Sequence, residues 1–349
     1  MSPVKHHNPS IELLKFVAVL LIVNSHFKEQ YVSFREFATG GAIGDALFFF
    51  CSGYTLFLGR FGRFDEWYKR RIRRIYPSVL AFGLMSWLVW SYDMRLGDLL
   101  TVGAGWFVSC IMIYYVIFYA IRRWASDRLW VPYVASAVLI AVWYSQFFNP
   151  MRDSLRAQGE PWRSLLFTTV PANGIWVYHW NYLKWLLFFP AFLMGAHVGK
   201  REAAGIGRKI ESWPMALVRV VACVAVFYGM QLFCSHNPEW SWLQIFSLLP
   251  LLAICYATFL LCRTSLAMKI VENRTWGRAV TFIGGLCLEI YLVQPCVRTT
   301  ALNHLFPLNL FILFVLMVIA AYACRVIGRF LQQTFSSEDG YDWGKIFKL

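Results

Sequence analysis

The sequence has few charges for its length. Only 15% of its 349 residues are charged, 58% are apolar and the mean hydropathy is +0.51, whereas about a quarter of an average soluble domain is charged. A soluble chain of this size needs a charged surface to stay dispersed. The composition therefore excludes an ordinary soluble protein and predicts a chain embedded largely in lipid.

The sequence also lacks the short motifs that mark many enzymes. No P-loop, G-x-S-x-G elbow, H-E-x-x-H helix or carboxylate-rich metal cluster occurs in it. Its 9 cysteines form no C-x-x-C pair and lie in or beside apolar runs, which is typical of small apolar packing residues. We therefore expect neither ATP-driven work nor a bound metal.

Apolar runs separated by short basic clusters dominate the sequence. The formal net charge is +14, but its scattered clusters favour a topogenic role over nucleic-acid binding. Ten runs approach the roughly 20 residues that a helix needs to cross a bilayer. The predicted spans are 11–27, 41–59, 77–92, 105–121, 129–147, 182–198, 214–234, 241–262, 279–296 and 307–326.

The positions of Lys and Arg predict the orientation of these spans. The N-terminal segment, the even-numbered loops and the C-terminal tail hold most of the 33 basic residues, which places both termini in the cytoplasm. We accordingly expect an all-α, polytopic membrane domain over residues 1–326, with about ten transmembrane helices. A polar cytoplasmic tail, residues 327–349, is expected to lie along the membrane surface.

The first predicted span carries three ionisable residues on one helical face: Glu12, Lys15 and His26. Charges inside a membrane cost about 2.5–3.5 kcal/mol each, so this face is expected to line a bundle interior or a watery cavity. Lys15 and His26 lie about 16 Å apart along the axis, whereas Glu12 and Lys15 can pair near the cytoplasmic end. The alternative is an interfacial pair and a histidine that only snorkels or caps.

An imidazole at the outer end of a span has two chemical uses. It can act as a general base on a sugar hydroxyl or as an acyl-accepting nucleophile. Asp45, at the outer end of the second predicted span, can orient His26 or can instead cap its own helix.

The predicted loop over residues 60–77 is the most basic segment of the chain. Five cations occupy six positions there, namely Lys69, Arg70, Arg71, Arg73 and Arg74. Such a cluster suits phosphate groups or anionic lipid headgroups, although positive-inside topology alone accounts for much of it.

The ninth predicted span places Glu289, Tyr291 and Gln294 in otherwise apolar sequence. Buried polar groups need partners, so we expect this face to turn inward or to line a cavity.

In this order the segments resemble the acyltransferase-3 family of integral membrane acyltransferases. IELLKFVAVLLIVNSH is similar to the family's opening helix, in which a basic residue precedes a histidine with ten residues between, here Lys15 and His26. GDALFFFCSGYTLF resembles its D-x-F-F-x-x-S-G segment, RRIRRIYP its R-x-x-R-I-x-P loop and GWFVSCIMIYYVIFY, with Trp106, its W-F segment. LFFPAFLMGAHVGK and IGGLCLEIYLVQ resemble later signatures, so the resemblance covers residues of about 10 to 325.

The resemblance implies an O-acyltransferase, most often an O-acetyltransferase, of the bacterial cytoplasmic membrane. It implies ten core helices, a cytoplasmic acyl-CoA donor, usually acetyl-CoA, no metal, and an acceptor hydroxyl on a polysaccharide or lipid-linked glycan. By resemblance His26 is the catalytic residue, supported by Lys15 and Glu12, with Asp45 beside it. The expected donor-side residues are Arg70, Arg71, Arg73 and Arg74, and the expected substrate-binding residues are Trp106, Glu289, Tyr291 and Gln294.

Three positions depart from the family pattern. Lys15 replaces a frequent arginine, Cys287 a frequent serine and Gln294 a frequent histidine. Two other functions therefore stay open. The first is a transporter or exporter of a glycan or lipid intermediate, and the second is a silent accessory subunit of a glycan synthase.

Overall fold

The computed structural model describes residues 8–90, 105–159, 166–167, 174–206, 210–335 and 340–348. Across these ranges the chain is helical and forms no strand. In chain order the α-helices are α1 Pro9–Ser25, α2 Gly41–Leu58, α3 Phe64–Trp90, α4 Trp106–Trp124, α5 Trp130–Ala157, α6 Ile175–Leu187, α7 Phe189–Ala203, α8 Trp213–His236, α9 Leu248–Leu261, α10 Ser265–Glu272, α11 Arg274–Gly285, α12 Cys287–Val297, α13 Leu308–Thr334 and α14 Trp343–Ile346. Short 3-10 helices cover Arg35–Phe37, Pro238–Ser247 and Asn303–Leu305.

Each of the ten predicted spans is helical over most of its described length, but fewer qualify as membrane spans. Among the described residues, 7 helical segments are long and apolar enough to cross a bilayer, and the bent pair α11–α12 makes up to 8. The predicted first and third spans fall short, because α1 has only 17 residues and the first half of α3 is strongly basic. The count of ten is therefore not confirmed, and the orientation of the termini stays a prediction.

Two boundaries predicted from the sequence differ from the helices that form. The expected basic loop over residues 60–77 is wrong, since α3 begins at Phe64 and runs through Pro77. Asp65 and Glu66 in its first turn favour this start, because negative charge is stabilising at a helix N-terminus. At the other end of the chain, α13 continues to Thr334, beyond the expected start of the tail at residue 327.

The chain divides into two compact units. Unit 1 comprises residues 1–14, 45–59 and 120–272, and unit 2 comprises residues 15–44, 60–119 and 273–349. In unit 1, α8 packs on α9 and α5 on α6. In unit 2, α3, α12 and α13 pack against one another.

A close crossing of α2 and α7 organises the core of unit 1. A Cβ atom at Gly53 would collide with the carbonyl of Phe192, and one at Gly195 would collide with the carbonyl of Phe50. Both glycines are therefore required by reciprocal contact of the two backbones, the small-residue packing that is common between membrane helices.

A polar network in unit 1 ties the start of α1 to α2 and α7. The side chain of Asn8 accepts a hydrogen bond from the N–H of Ser10 at 3.0 Å, which caps α1, and donates to the hydroxyl of Tyr54 at 2.7 Å. Tyr54 donates to Glu202, whose second oxygen accepts from Arg263 at 2.9 Å. The carboxylate is thus neutralised by an ion pair instead of being left alone beside the bundle.

Candidate functional site

His26 follows α1 directly, and its ring is held by the last turn of that helix. Its Nδ1 lies 2.7 Å from the carbonyl oxygen of Ile22 and 3.3 Å from the hydroxyl of Ser25. A carbonyl oxygen only accepts hydrogen bonds, so the 2.7 Å contact requires a proton on Nδ1. In the neutral ring Nε2 is then the basic nitrogen, which is the state that a general base needs.

The same local arrangement recurs in unit 1, where α8 ends with Ser235 and His236. There Nδ1 lies 2.9 Å from the carbonyl of Leu232 and 3.3 Å from the serine hydroxyl. The tautomer alone therefore does not distinguish His26. Its other neighbours in unit 2 do.

Arg298, which follows α12, contacts the backbone of His26. Its Nη1 donates to the carbonyl oxygen of His26 at 3.0 Å. Burial lowers the pKa of the Arg298 guanidinium from its ordinary value, which means that its charge is poorly solvated. Sequence reasoning missed this residue, because a single arginine after a span carries only a topological signal.

The remaining residues predicted around the first span fall in different units. Lys15 belongs to unit 2 with His26, whereas Glu12 and Asp45 belong to unit 1. The capping alternative for Asp45 is wrong, because α2 already begins at Gly41. Within unit 1, Asp45 interacts electrostatically with Lys184, a lysine that is only 9% exposed. The pairing of Glu12 with Lys15 and of Asp45 with His26 stays a prediction.

The predicted donor-side arginines lie on the first turns of α3, in unit 2. Arg71 lies over the buried ring of Trp67, 5.0 Å from its centroid, and Arg70 donates to the carbonyl of Arg60 at 3.3 Å. Arg73 and Arg74 are exposed. The helix thus presents exposed guanidinium groups beside one that is oriented by an aromatic ring, an arrangement that can bind phosphate.

Trp106 and Tyr291, two of the predicted substrate-binding residues, lie close together in unit 2. Tyr291 packs on Phe107 with ring centroids 5.1 Å apart. Its hydroxyl would lie 2.8 Å from a Cβ atom at Gly105, which has a φ of +154°. Glycine before Trp106 therefore makes room for the phenol of Tyr291 where α4 begins.

Glu289, the third predicted substrate-binding residue, forms an ion pair beside a break between two helices. α11 and α12 meet at a bend of 71°, next to Gly285, where the flexible backbone permits a break. Arg325 donates to both oxygens of Glu289, at 2.8 and 3.3 Å, and also to the carbonyl of Gly285. Ser78 donates to Glu289 at 2.8 Å. The carbonyl of Gly285 at the break thus has its hydrogen-bond donor inside the protein, as backbone polar groups in a membrane protein require.

Gln294, the fourth predicted substrate-binding residue, lies on α12 and is only 2% exposed. Among the described residues its Oε1 atom has no hydrogen-bond partner. Since a buried acceptor without a partner costs roughly 1–3 kcal/mol, this amide points to a ligand, a water or another donor.

Comparison with known proteins agrees with the order of segments along the chain. The model of the acyltransferase-3 family, described as an acyltransferase domain, matches residues 8–328. No curated protein and no solved structure matches the chain. The family match covers nearly the whole chain, including α1, the basic turns of α3 and the broken helix of α12. The chain therefore belongs to the acyltransferase-3 family of membrane acyltransferases.

Proposed function

We propose that the protein is an O-acyltransferase that moves an acetyl group from cytoplasmic acetyl-CoA to a hydroxyl of an envelope glycan. His26 carries the chemistry, in the cytoplasmic membrane of a bacterium. The observation that supports this most directly is the Nδ1 contact of His26 with the carbonyl of Ile22, because it leaves Nε2 as the base in a member of an acyltransferase family.

The reaction needs one base and good positioning. The acceptor hydroxyl gives its proton to Nε2 of His26 as its oxygen attacks the thioester carbonyl. The C–S bond then breaks, the thiolate of CoA leaves with the electron pair, and the imidazolium returns the proton to it. A thiolate is a reasonable leaving group, so proximity and a single base supply the catalysis.

The donor is held by basic residues of unit 2. The arginines of α3, with Arg71 and Arg74 foremost, bind the phosphates of CoA, and Lys15 supports the binding of the thioester. Guanidinium groups suit this task because each can donate two hydrogen bonds to one phosphate.

The test is acetyl transfer by the purified full chain in liposomes. Radiolabelled acetyl-CoA is supplied with a de-O-acetylated glycan fraction from cells that lack the protein. We expect His26→Ala to lose at least about a hundredfold in rate, the usual contribution of a general base. His236→Ala is the matched control, since it removes the same local contacts elsewhere. Wild-type turnover by His26→Ala would refute the assignment.

The competing function, glycan or lipid export, gives a different binding pattern. Acetyl-CoA should raise the melting temperature of the wild type, and this shift should vanish in Arg71→Gln/Arg74→Gln. A protein that is stabilised by the glycan fraction but never by acetyl-CoA would favour the exporter.

A further inference from the structure

Several buried polar side-chain atoms in the described part of unit 2 lack hydrogen-bond partners. Four of them belong to residues that hydrogen bonds link to the end of α1: Oε1 of Gln30, Oε1 of Gln294, Oδ1 of Asn309 and Nε of Arg298. The three amide residues are 4%, 2% and 0% exposed, respectively. Folded proteins satisfy the great majority of such atoms, so four exceptions on linked residues point to an occupant.

Hydrogen bonds connect these residues to the end of α1. Arg298 donates to the carbonyl of His26 at 3.0 Å, and the backbone N–H of Arg298 bonds to the carbonyl of Gln294 at 3.2 Å. Gln30 lies four residues after His26. Asn309 donates to the carbonyl of Gln30 at 2.9 Å. The four residues are therefore linked to one another and to the end of α1, and we call them the amide cluster.

The same hydrogen bonds fix which atoms of the amides are available. The NH₂ groups of Gln30 and Asn309 donate to the carbonyls of Thr299 and Gln30, at 3.3 and 2.9 Å. Because a carbonyl oxygen can only accept, each amide must present its oxygen on the other side. With Oε1 of Gln294 and Nε of Arg298, the cluster offers three acceptors and one N–H donor.

This set of atoms specifies the chemistry of the occupant. Three acceptor oxygens require hydrogen-bond donors, which excludes the phosphates of CoA, since a phosphate is itself an acceptor. A ligand with several hydroxyl groups fits, because each hydroxyl both donates and accepts. The positive charge of Arg298 beside the amide oxygens disfavours a cation, so a neutral ligand is favoured.

Three aromatic rings, of which Phe34 is exposed, lie close in sequence to these residues of unit 2. Phe34 stacks on Phe306 at 5.8 Å, and Tyr31, which follows Gln30, lies 6.1 Å from Phe306. The electron-rich face of an aromatic ring attracts weakly positive C–H groups. A sugar ring has a face lined by C–H groups of this kind. Amide oxygens that accept from hydroxyl groups, together with these aromatic rings, therefore fit a carbohydrate better than a simple alcohol.

We propose that the amide cluster binds the hydroxyl groups of one sugar unit of the acceptor and so places the reacting hydroxyl beside His26. This proposal rests on the proposed transferase function and names its acceptor site. Arg298 is then a positioning residue, since it holds the backbone of His26 while its Nε faces the sugar unit. Gln30, Gln294 and Asn309 determine which acceptor is used.

The proposal is tested with the full chain in liposomes, using the glycan fraction and radiolabelled acetyl-CoA. Gln30→Met and Gln294→Met keep side-chain volume but remove the acceptor oxygen. Each should raise KM for the glycan roughly fivefold to tenfold, the effect of one lost hydrogen bond. KM for acetyl-CoA should not change. Gln244→Met in unit 1, where Gln244 accepts from the N–H of Leu166, is the control.

A second measurement needs no variant. The glycan fraction should raise the melting temperature of the wild-type protein, and the same fraction with its hydroxyls methylated should not, because methylation removes every hydroxyl donor. If both fractions raise the melting temperature equally, the amide cluster does not recognise hydroxyl groups. The proposal is then wrong, even where a variant fails to fold.

The outcomes separate this proposal from the proposed function. Transfer by the wild type with unchanged glycan KM in both methionine variants would overturn the acceptor site and leave the transferase intact, with buried water satisfying the amides. Stabilisation by native but not methylated glycan, without any acetyl transfer, would overturn the transferase and support the sugar site alone.

Discussion

Two histidines of this chain end a helix after a serine and bind their own helix in the same way, yet we assign chemistry to only one. His236 is exposed at the end of α8, whereas His26 is bonded through its carbonyl to a half-buried arginine. A neutral imidazole becomes a useful base where substrate can be placed against it. At the scale of single residues, the surroundings therefore decide the function, and the local hydrogen bond does not.

The ion pair of Glu289 and Arg325 gives a test at this scale. Glu289→Gln leaves a guanidinium that is only 18% exposed without its counter-ion, and we expect a loss of about 3–5 kcal/mol in the free energy of unfolding. The double change Glu289→Leu/Arg325→Met should recover most of that loss. Thermal melting in detergent measures both.

The control is an ion pair of the same type in solvent. Arg35 and Glu29 are 54% and 57% exposed, so Glu29→Gln should change stability by less than about 1 kcal/mol. Equal melting temperatures for Glu289→Gln and the wild type would show that the pair does not hold the helix break.

Part of the site could be predicted from single residues in the sequence. Glu12, Lys15 and His26 stand out because charged side chains are rare in an apolar run. Gln30, Arg298 and Asn309 do not stand out, because each is a single polar residue in or beside a connection and belongs to no periodic sequence pattern. They meet only through the packing of unit 2, which the sequence does not display.

At the scale of helices, the crossing of α2 and α7 yields the next prediction. Gly53→Ala adds a methyl group where the carbonyl of Phe192 lies, so we expect a loss of about 1–3 kcal/mol in stability. Gly229→Ala in α8 meets nothing within 4 Å and should be neutral or stabilising. Similar melting temperatures for the two variants would mean that the helices do not cross at the glycine.

Helix positions were easier to predict from the sequence than helix ends. Hydropathy locates each apolar run, but the basic segment before Pro77 forms the first half of α3 instead of the predicted loop. Its charges mark the limit of the hydrocarbon and not of the helix, since arginine and lysine are good helix formers. The proline lies inside α3, a position that membrane helices tolerate.

At the scale of the whole molecule, the number of spans fixes the relative position of the termini. An odd number, such as the 7 segments that qualify by length and composition, places the termini on opposite sides. Eight or ten spans place them on the same side. The excess of basic residues at both ends predicts that both are cytoplasmic.

Epitope tags at each terminus measure this directly in intact cells. We expect both tags to be protected from added protease until the membrane is permeabilised. A tag inserted near Thr300 should be cleaved without permeabilisation, because that connection is predicted to face outward. If one terminal tag is cleaved in intact cells, the number of spans is odd, and either α1, α3 or the α11–α12 pair does not cross.

The reciprocal glycines of unit 1 also constrain how the protein can move. Sliding α2 along α7 by one residue, about 1.5 Å, would bring a side-chain carbon against a carbonyl for which only glycine leaves space. The two helices are therefore fixed in register and move as one rigid pair. An exporter that works by sliding its helices would need the sliding surface to lie between other helices, whereas a transferase needs no such movement.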